Sequence, residues 1–390
     1  MSIQIKDLLS PANDYKCDNY YLEIGDINVK THQYILDRNK SIVDGAVKAK
    51  KGTILISTVR PTRGAIVILK ESIFVSSAFC QIYIENLDVR NYIYQYFLLP
   101  SFTKYLADNS EGGTYPTVKD ATILNHFIKI PSDEKMKFTG LILNSIDISI
   151  IEKNKMSRKT KQYKEAMLYK MFPKKGSKVP EIRFKGFEGE WETKVFEKAF
   201  DRLSNNSIKR DLLNYKKGNV KNIHYGDVLI KFDFTVDPSD MKVPYINEGE
   251  KVSKNADDYL ITGDVVFADT AEDTTAGKVT EIINTNGVKT LAGLHTYPCR
   301  PLDKYVPGFL GIMLNTSLFH NQLIPYMQGT KVTGFNYGQL CKTVIYYPGN
   351  DEQKKIVEFF DNLDSKIKNQ EKEITILENY KATLLEKMFA

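Results

Sequence analysis

The chain has 390 residues, of which 42% are hydrophobic and 26% charged, with a formal net charge of +6. That length holds two or three domains with ordinary cores, and the four scattered cysteines (Cys17, Cys80, Cys299, Cys341) include no CxxC pair, which argues against a disulfide framework or a zinc site. No stretch approaches the roughly 20 apolar residues of a membrane span, and the N-terminus lacks a basic start followed by an apolar run, so a soluble, cytoplasmic protein is expected.

In chain order, residues 1–130 are rich in β-branched and aromatic runs such as "GTILIST", "GAIVIL" and "FCQIYI", divided by glycine, proline and asparagine, which predict short strands between exposed loops. Short helices are expected at "NYIYQYFLLPSFTKYLAD". A glycine turn, "EGGTYPTVKD", then leads through a β-rich run to Pro131. Residues 131–172 predict a long helix, and 173–190 a linker. Residues 191–347 repeat the strand-rich composition in "GDVVFAD" and "KTVIYYP", with short helices expected at "GFLGIMLNTSLFHNQLIPYM". Residues 348–390 predict a second long helix. The basic residues are concentrated: 131–178 contain twelve Lys/Arg against five Asp/Glu. Such a segment suits a polyanion or an acidic partner surface, and equally a solvated helix face.

The two halves repeat one another. Placed without a gap, 131–172 and 348–389 share eleven identities, among them Asp147 with Asp364, Ile150 with Ile367, Lys164 with Lys381, and Lys170–Met171–Phe172 with Lys387–Met388–Phe389. Weaker likeness extends upstream: "EGGTYPTVKDATILNHFIKIP" lies over "MQGTKVTGFNYGQLCKTVIYYP", "KKGTILIS" over "ITGDVVFA", and "YLEIGDIN" over "NIHYGDVL". The chain is therefore two copies of a strand-rich unit followed by a long helix.

In the second helix Ile356, Phe360, Leu363, Ile367, Ile374, Leu377, Leu384 and Met388 are spaced alternately by four and three once Gln370 and Lys381 fill the gaps. This is a coiled-coil seam, and about forty residues give a rod of roughly 60 Å. Its partner by position is the first helix, whose seam is apolar at Leu143, Ile146, Ile150, Met167 and Met171 but polar at Lys153, Ser157, Thr160 and Lys164. Those polar positions either set register or face another subunit or water. Antiparallel pairing would place the two α+β units at opposite ends of the rod, a dumbbell with pseudo-two-fold symmetry. The expected fold class is α+β: two pseudo-symmetric α+β domains separated by two long helices forming an antiparallel coiled coil.

Motifs for catalysis are missing from the sequence. It has no GxxxxGK[ST] loop ("TAGKVT" lacks the first glycine and the hydroxyl residue), no GxGxxG, HExxH or GxSxG, and no Pro-Pro pair from which an aminomethyltransferase motif could be built. Five histidines are scattered. The acid-x-Lys fragments at Asp133–Lys135 and Glu192–Lys194 lack the preceding strand carboxylate of a metal-dependent nuclease.

Alternating α+β units and similar long helices, the opening "NDEQKKIVEFFDNLDSKI", the ending "LLEKMF" and the linker "VPEIRFKGFEGEWE" resemble the specificity subunit of type I restriction-modification systems over nearly the whole chain. The resemblance implies that 1–130 and 191–347 are target recognition domains and that 131–172 and 348–390 are the conserved spacer helices. It further implies a non-catalytic subunit that binds a bipartite sequence in double-stranded DNA and recruits methyltransferase subunits, usually two, and restriction subunits. S-adenosylmethionine, ATP and Mg2+ are then expected on those partners and no cofactor on this chain. The first unit begins almost at Met1 without a counterpart of "PEIRFKGFEGEWE", so a shorter start than in some relatives is expected. The alternatives from other classes are a coiled-coil scaffold pairing two protein-binding modules and a degenerate nuclease.

Under this reading the DNA contacts fall on loops. "STVRPTRGA" offers Arg60 and Arg63; the matching "ADTAEDTTAGK" offers Asp269, Glu272 and Asp273, which would accept from a base amino group or lie on a solvated turn. The recurring glycine turns offer Thr114, Tyr115 and Lys119 in one unit and Lys331, Thr333, Asn336 and Tyr337 in the other, or serve only as strand connections. Lys209 and Arg210 open a further basic stretch. Half-sites read from one face of a duplex lie about one helical turn, roughly 34 Å, apart, so the helices are expected to act as a ruler. Insertion of matched turns into both helices should lengthen the gap between the methylated half-sites, and an unchanged methylated sequence would refute the ruler.

Overall fold

The computed structural model describes residues 2–253, 255–329 and 332–389. The chain divides into two compact units, Met1–Ser157 with Asn369–Ala390, and Arg158–Lys368. Each therefore contains part of each of two long helices, Asp133–Lys170 and Asn350–Phe389. None of the described helices is long and apolar enough to cross a membrane. The α+β class and the long helices agree with the sequence-based expectation.

Both long helices begin with acids, Asp133 and Glu134 in one and Asp351 and Glu352 in the other, where carboxylates oppose the positive end of the helix dipole. The first helix stops two residues before Phe172–Pro173, as it must where proline cannot continue the hydrogen-bond ladder. Within each unit the helical segments run antiparallel. In the first unit Lys381 Nζ lies 2.6 Å from Asp147 Oδ1, and Lys153 pairs with Glu373. In the second unit Lys164 pairs with Asp364. Every seam position on both helices is buried or half-buried, including polar Lys153, Ser157, Thr160, Lys164, Gln370 and Lys381. The polar stretch of the first helix therefore belongs to the seam.

In the first unit a three-stranded antiparallel sheet places Ile54–Ser57 between Ile66–Ile68 and Phe79–Ile82. A second small sheet joins Tyr21–Leu22, Ile73–Val75 and Val47–Ala49. The N-terminal strand Ser2–Gln4 pairs antiparallel with Phe127–Lys129, directly before the long helix. Leu87–Phe97 and Pro100–Asp108 are helices, split where Pro100 can start a helix but not continue one. Asn86 caps the first by accepting from the N–H groups of Asp88 and Val89. Leu143 and Leu385 pack on Leu99, and Phe389 stacks beside Tyr92 and Tyr96. The "KMF" ending of the chain thus closes this unit's core.

The second unit repeats the plan with additions. Val265–Ala268 lies between Val279–Ile282 and Thr296–Pro301, and Phe200–Arg202 and Thr235–Val236 extend this sheet to five strands. Glu192–Val195 pairs with Val344–Tyr347 as Ser2–Gln4 does with Phe127–Lys129. Here the first "KMF" supplies Met171 and Phe172 to a core that includes Trp191, Phe309, Ile356 and Phe360. One element departs from the β-rich run expected after the glycine turns. Asp120–Leu124 and Tyr337–Leu340 are short helices, the second held by a capping box between Asn336 and Gln339.

Glu281, on a central strand and 1% exposed, accepts from the N–H groups of Gly308 (2.7 Å) and Gly311 (2.8 Å) at the start of helix Phe309–Leu314. A Cβ on Gly311 would stand 2.1 Å from the Phe234 carbonyl, so only glycine admits this approach. Burial pushes the Glu281 carboxyl up to about 7, against the lowering effect of its backbone donors. The folded state therefore favours the neutral acid. Its contribution is fully present below the ordinary carboxyl value of 4.5, is lost as pH rises toward about 7, and is constant above. The loss amounts to about 3 kcal/mol. Thermal unfolding between pH 4.5 and 8 should show wild-type Tm falling relative to Glu281→Gln until about pH 7; parallel curves would contradict this.

Candidate nucleic-acid interface

In both units the loop after the central strand is bound to the glycine turn, although the two are far apart in sequence. In the first unit Val59 pairs with Thr117, the Arg60 N–H donates to the Pro116 carbonyl (2.7 Å), and the Val118 N–H donates to the Thr58 carbonyl (2.9 Å). Arg60 occupies the left-handed region, with φ 48°, as the residue before a short turn at Pro61–Arg63. The docked loops bring Arg60 to 3.9 Å from the ring centre of Tyr115, which is 63% exposed. The contact holds the guanidinium by cation–π attraction and leaves it without a carboxylate partner among the described residues. Arg63 and Thr114 are exposed beside it in sequence, and exposed Lys119 pairs weakly with Glu111 at 3.3 Å.

In the second unit Thr270–Ala271 pairs antiparallel with Thr333–Gly334, and the Phe335 N–H donates to the Asp269 carbonyl (3.2 Å). A Cβ on Gly334 would stand 2.9 Å from that carbonyl, so the close crossing requires glycine. Thr333 is half-buried in this strand pair. Asn336 is committed to capping, and Tyr337 packs edge-on against Tyr297. Asp273 is turned back onto Thr275, whose hydroxyl (2.5 Å) and N–H (2.8 Å) both donate to Oδ1 and draw its carboxyl below the usual range. Glu272 is exposed. Lys331 lies outside the described residues.

The basic stretch from Lys209 separates on folding. Arg210, its side chain 43% exposed, pairs with Asp227, which is 1% exposed and also bonded by Lys231 at 3.0 Å, and Tyr215 bridges the two cations. The matching residue of the first unit, Asp26, is likewise held by Lys40 at 2.8 Å. This pairing explains why "GD" recurs in "YLEIGDIN" and "NIHYGDVL". Lys221 is 3% exposed and donates to the Asp240 carbonyl. Lys209 and Lys216 stay exposed with no ion pair among the described residues.

One cation was missed in the sequence. Arg202 lies over both Tyr337 (4.6 Å) and Tyr297 (5.3 Å), is exposed, and has no carboxylate within ion-pairing distance among the described residues. A single arginine in "AFDRLSN" carries no local signal, because its platform comes from tyrosines about a hundred residues away. Each unit thus presents an arginine resting on tyrosine at the junction of strand loop and glycine turn. Among the described residues no group of His, Cys, Asp and Glu is arranged to hold a metal ion.

The chain is a duplicated α+β protein whose two halves share this loop junction, and comparison with known proteins places it. The sequence model of the type I restriction modification DNA specificity domain matches residues 9–161 and 205–379. The chain belongs to that family. It is 30% identical over 130 residues to the type I restriction enzyme MjaIX specificity subunit of Methanocaldococcus jannaschii, a match spanning 32% of this chain and 30% of that protein. The chain therefore aligns with less than a third of that curated relative. The fold resembles the type I restriction-modification S subunit from M. genitalium (TM-score 0.57, 12% identity, 100% of this chain and 96% of that one). It also resembles a chain from a structural study of complex assembly and conformational transition of a type I system (TM-score 0.55, 16% identity, 100% and 97%).

The paired and unpaired cations separate experimentally. Arg210→Ala leaves buried Asp227 with Lys231 alone and should lower unfolding stability by about 1–2 kcal/mol. Lys209→Ala should leave the urea midpoint unchanged; equal midpoints for both variants would contradict the pairing of Arg210 with Asp227.

Proposed function

We propose that the chain is the DNA sequence-specificity subunit of a type I restriction-modification complex. Residues 1–130 and 191–347 act as target recognition domains, each reading one half of a bipartite duplex sequence, and 131–172 and 348–390 are the spacer helices. The observation that carries this reading is the repeated junction: the family's domain occurs twice, and each copy presents an arginine resting on tyrosine beside a glycine turn.

The division of labour follows from the side chains. Exposed cations without internal partners, such as Arg63, Lys209 and Lys216, suit phosphate contacts, which give affinity that falls with salt and carries no sequence information. Planar and bidentate groups at the loop junctions suit base edges in a groove. Chemistry is assigned to methyltransferase and restriction subunits docked on the helices, which would bring S-adenosylmethionine, ATP and Mg2+. This chain supplies orientation and sequence choice without catalysis, in the cytoplasm where those partners meet DNA.

Exchange of residues 1–130 for the corresponding domain of a relative with a different target gives a direct test. Methylated adenines mapped in cells expressing the hybrid with its methyltransferase should change in one half of the sequence only. Changes in both halves, or no sequence-specific methylation by the parent complex, would overturn the assignment.

A further inference from the structure

Arg202 and Asp269 belong to one packed block of the second unit. Tyr297 carries the Arg202 guanidinium on its ring and donates its hydroxyl to the Phe335 carbonyl (3.1 Å), while the Phe335 N–H donates to the Asp269 carbonyl. The Asp269 N–H in turn donates to the His295 carbonyl (3.1 Å). Both side chains are thus positioned by the same tyrosine–phenylalanine link, with little ordering left for a ligand to impose.

Their chemistry is complementary. Arg202 offers a fork of donors held over two tyrosine rings, with no carboxylate in ion-pairing distance among the described residues. Asp269 offers acceptors: its side chain is 18% exposed, and its Oδ1 is turned inward without a hydrogen bond, 3.4 Å from His295 Nδ1. The carboxylate borders a shallow cleft of about 400 Å3 that is also lined by Gln328 and Asn336. The exposed part of this carboxylate borders the cleft and is repelled by phosphate. On a duplex, the donors it can meet in the major groove are the amino groups of cytosine and adenine. An adjacent arginine fork selects between them, because two acceptors side by side occur on guanine and not on the A·T pair.

We propose that Arg202 and Asp269 together read one G·C base pair in the half-site of the second domain, Arg202 donating to guanine O6 and N7 and Asp269 accepting from cytosine N4. The assignment rests on the proposed function and adds a residue pair and a base pair to it. It also gives the second unit's additional edge strand, Phe200–Arg202, a purpose, since that strand carries the arginine.

The test is selection of randomised duplexes by the full chain in complex with its methyltransferase subunits, followed by sequencing. The wild-type complex should enrich a fixed G·C pair in the half-site assigned to residues 191–347. Asp269→Asn, which keeps shape but turns an acceptor into a donor, should reduce preference at that pair about tenfold and leave the other half-site intact. Arg202→Lys should relax the guanine at the same pair. Unchanged preferences in both variants, or an equal loss of affinity for all sequences that marks phosphate contact, would overturn the proposal and leave the subunit assignment standing. A wild-type complex that enriches no sequence would instead remove the assignment of function itself.

Discussion

The constraint on which the rest depends is the pairing of one aspartate and one lysine across the helix seam, made twice with the roles exchanged. Asp147 and Asp364 occupy the same place in the repeat, as do Lys164 and Lys381, and each aspartate is joined to the lysine of the other copy. Apolar contact alone could not fix this register, because the first helix has polar residues at four successive seam positions. Half-buried ion pairs add little to net stability, yet a slipped register would leave each charge buried and unpaired. Asp147 is secured further by Gln95 Nε2 at 2.7 Å, which ties helix Leu87–Phe97 to the same point, and Lys164 lies 4.2 Å from the ring centre of Phe234. The ion pairs thus position parts of each α+β unit as well as the helices.

On that frame the two units keep strands and diverge in loops. The core strands, the N-terminal strand pairing and the closing "KMF" are common because they bury the same apolar surfaces. What differs lies where side chains meet solvent. The first unit takes its stacked arginine from the loop after the central strand, the second from an edge strand that the first lacks. Both units place an arginine over tyrosine at that junction, from different positions in the repeat.

The repeat made the architecture legible. A period shared by helix ending, glycine turn and central strand marks two units, and alternating four–three spacing marks the seam in the sequence itself. Within the seam the sequence left open whether Lys153, Ser157, Thr160 and Lys164 faced inward, because a polar residue at such a position is compatible with either outcome until its partner is known; Glu373 and Asp364 decide it. The short helices at Asp120–Leu124 and Tyr337–Leu340 were hidden inside β-rich composition, and only the Asn336–Gln339 box marks one locally. Arg60 and Tyr115 were both recognised as candidates, but their contact depends on strand pairing across more than fifty residues. Arg202 could not be found from sequence because its signal is entirely tertiary.

Charge shows the same limit. The basic residues at 209–221 look like one patch in sequence, but folding assigns Arg210 to Asp227 and Lys221 to a buried carbonyl. A cation already matched by an internal acceptor has little left to give a phosphate, since the new contact would have to replace the old one. Of the candidate cations, Arg60 and Arg63 in one unit and Arg202, Lys209 and Lys216 in the other have no carboxylate partner among the described residues. Two of these are fixed on aromatic rings and three are free on flexible stems. In the proposed DNA complex the fixed ones would lose little conformational freedom and discriminate geometry, whereas the free ones would adapt to any backbone and contribute salt-dependent affinity. Under the proposed function, specificity and affinity would be carried by different residues, and a substitution in one group need not disturb the other.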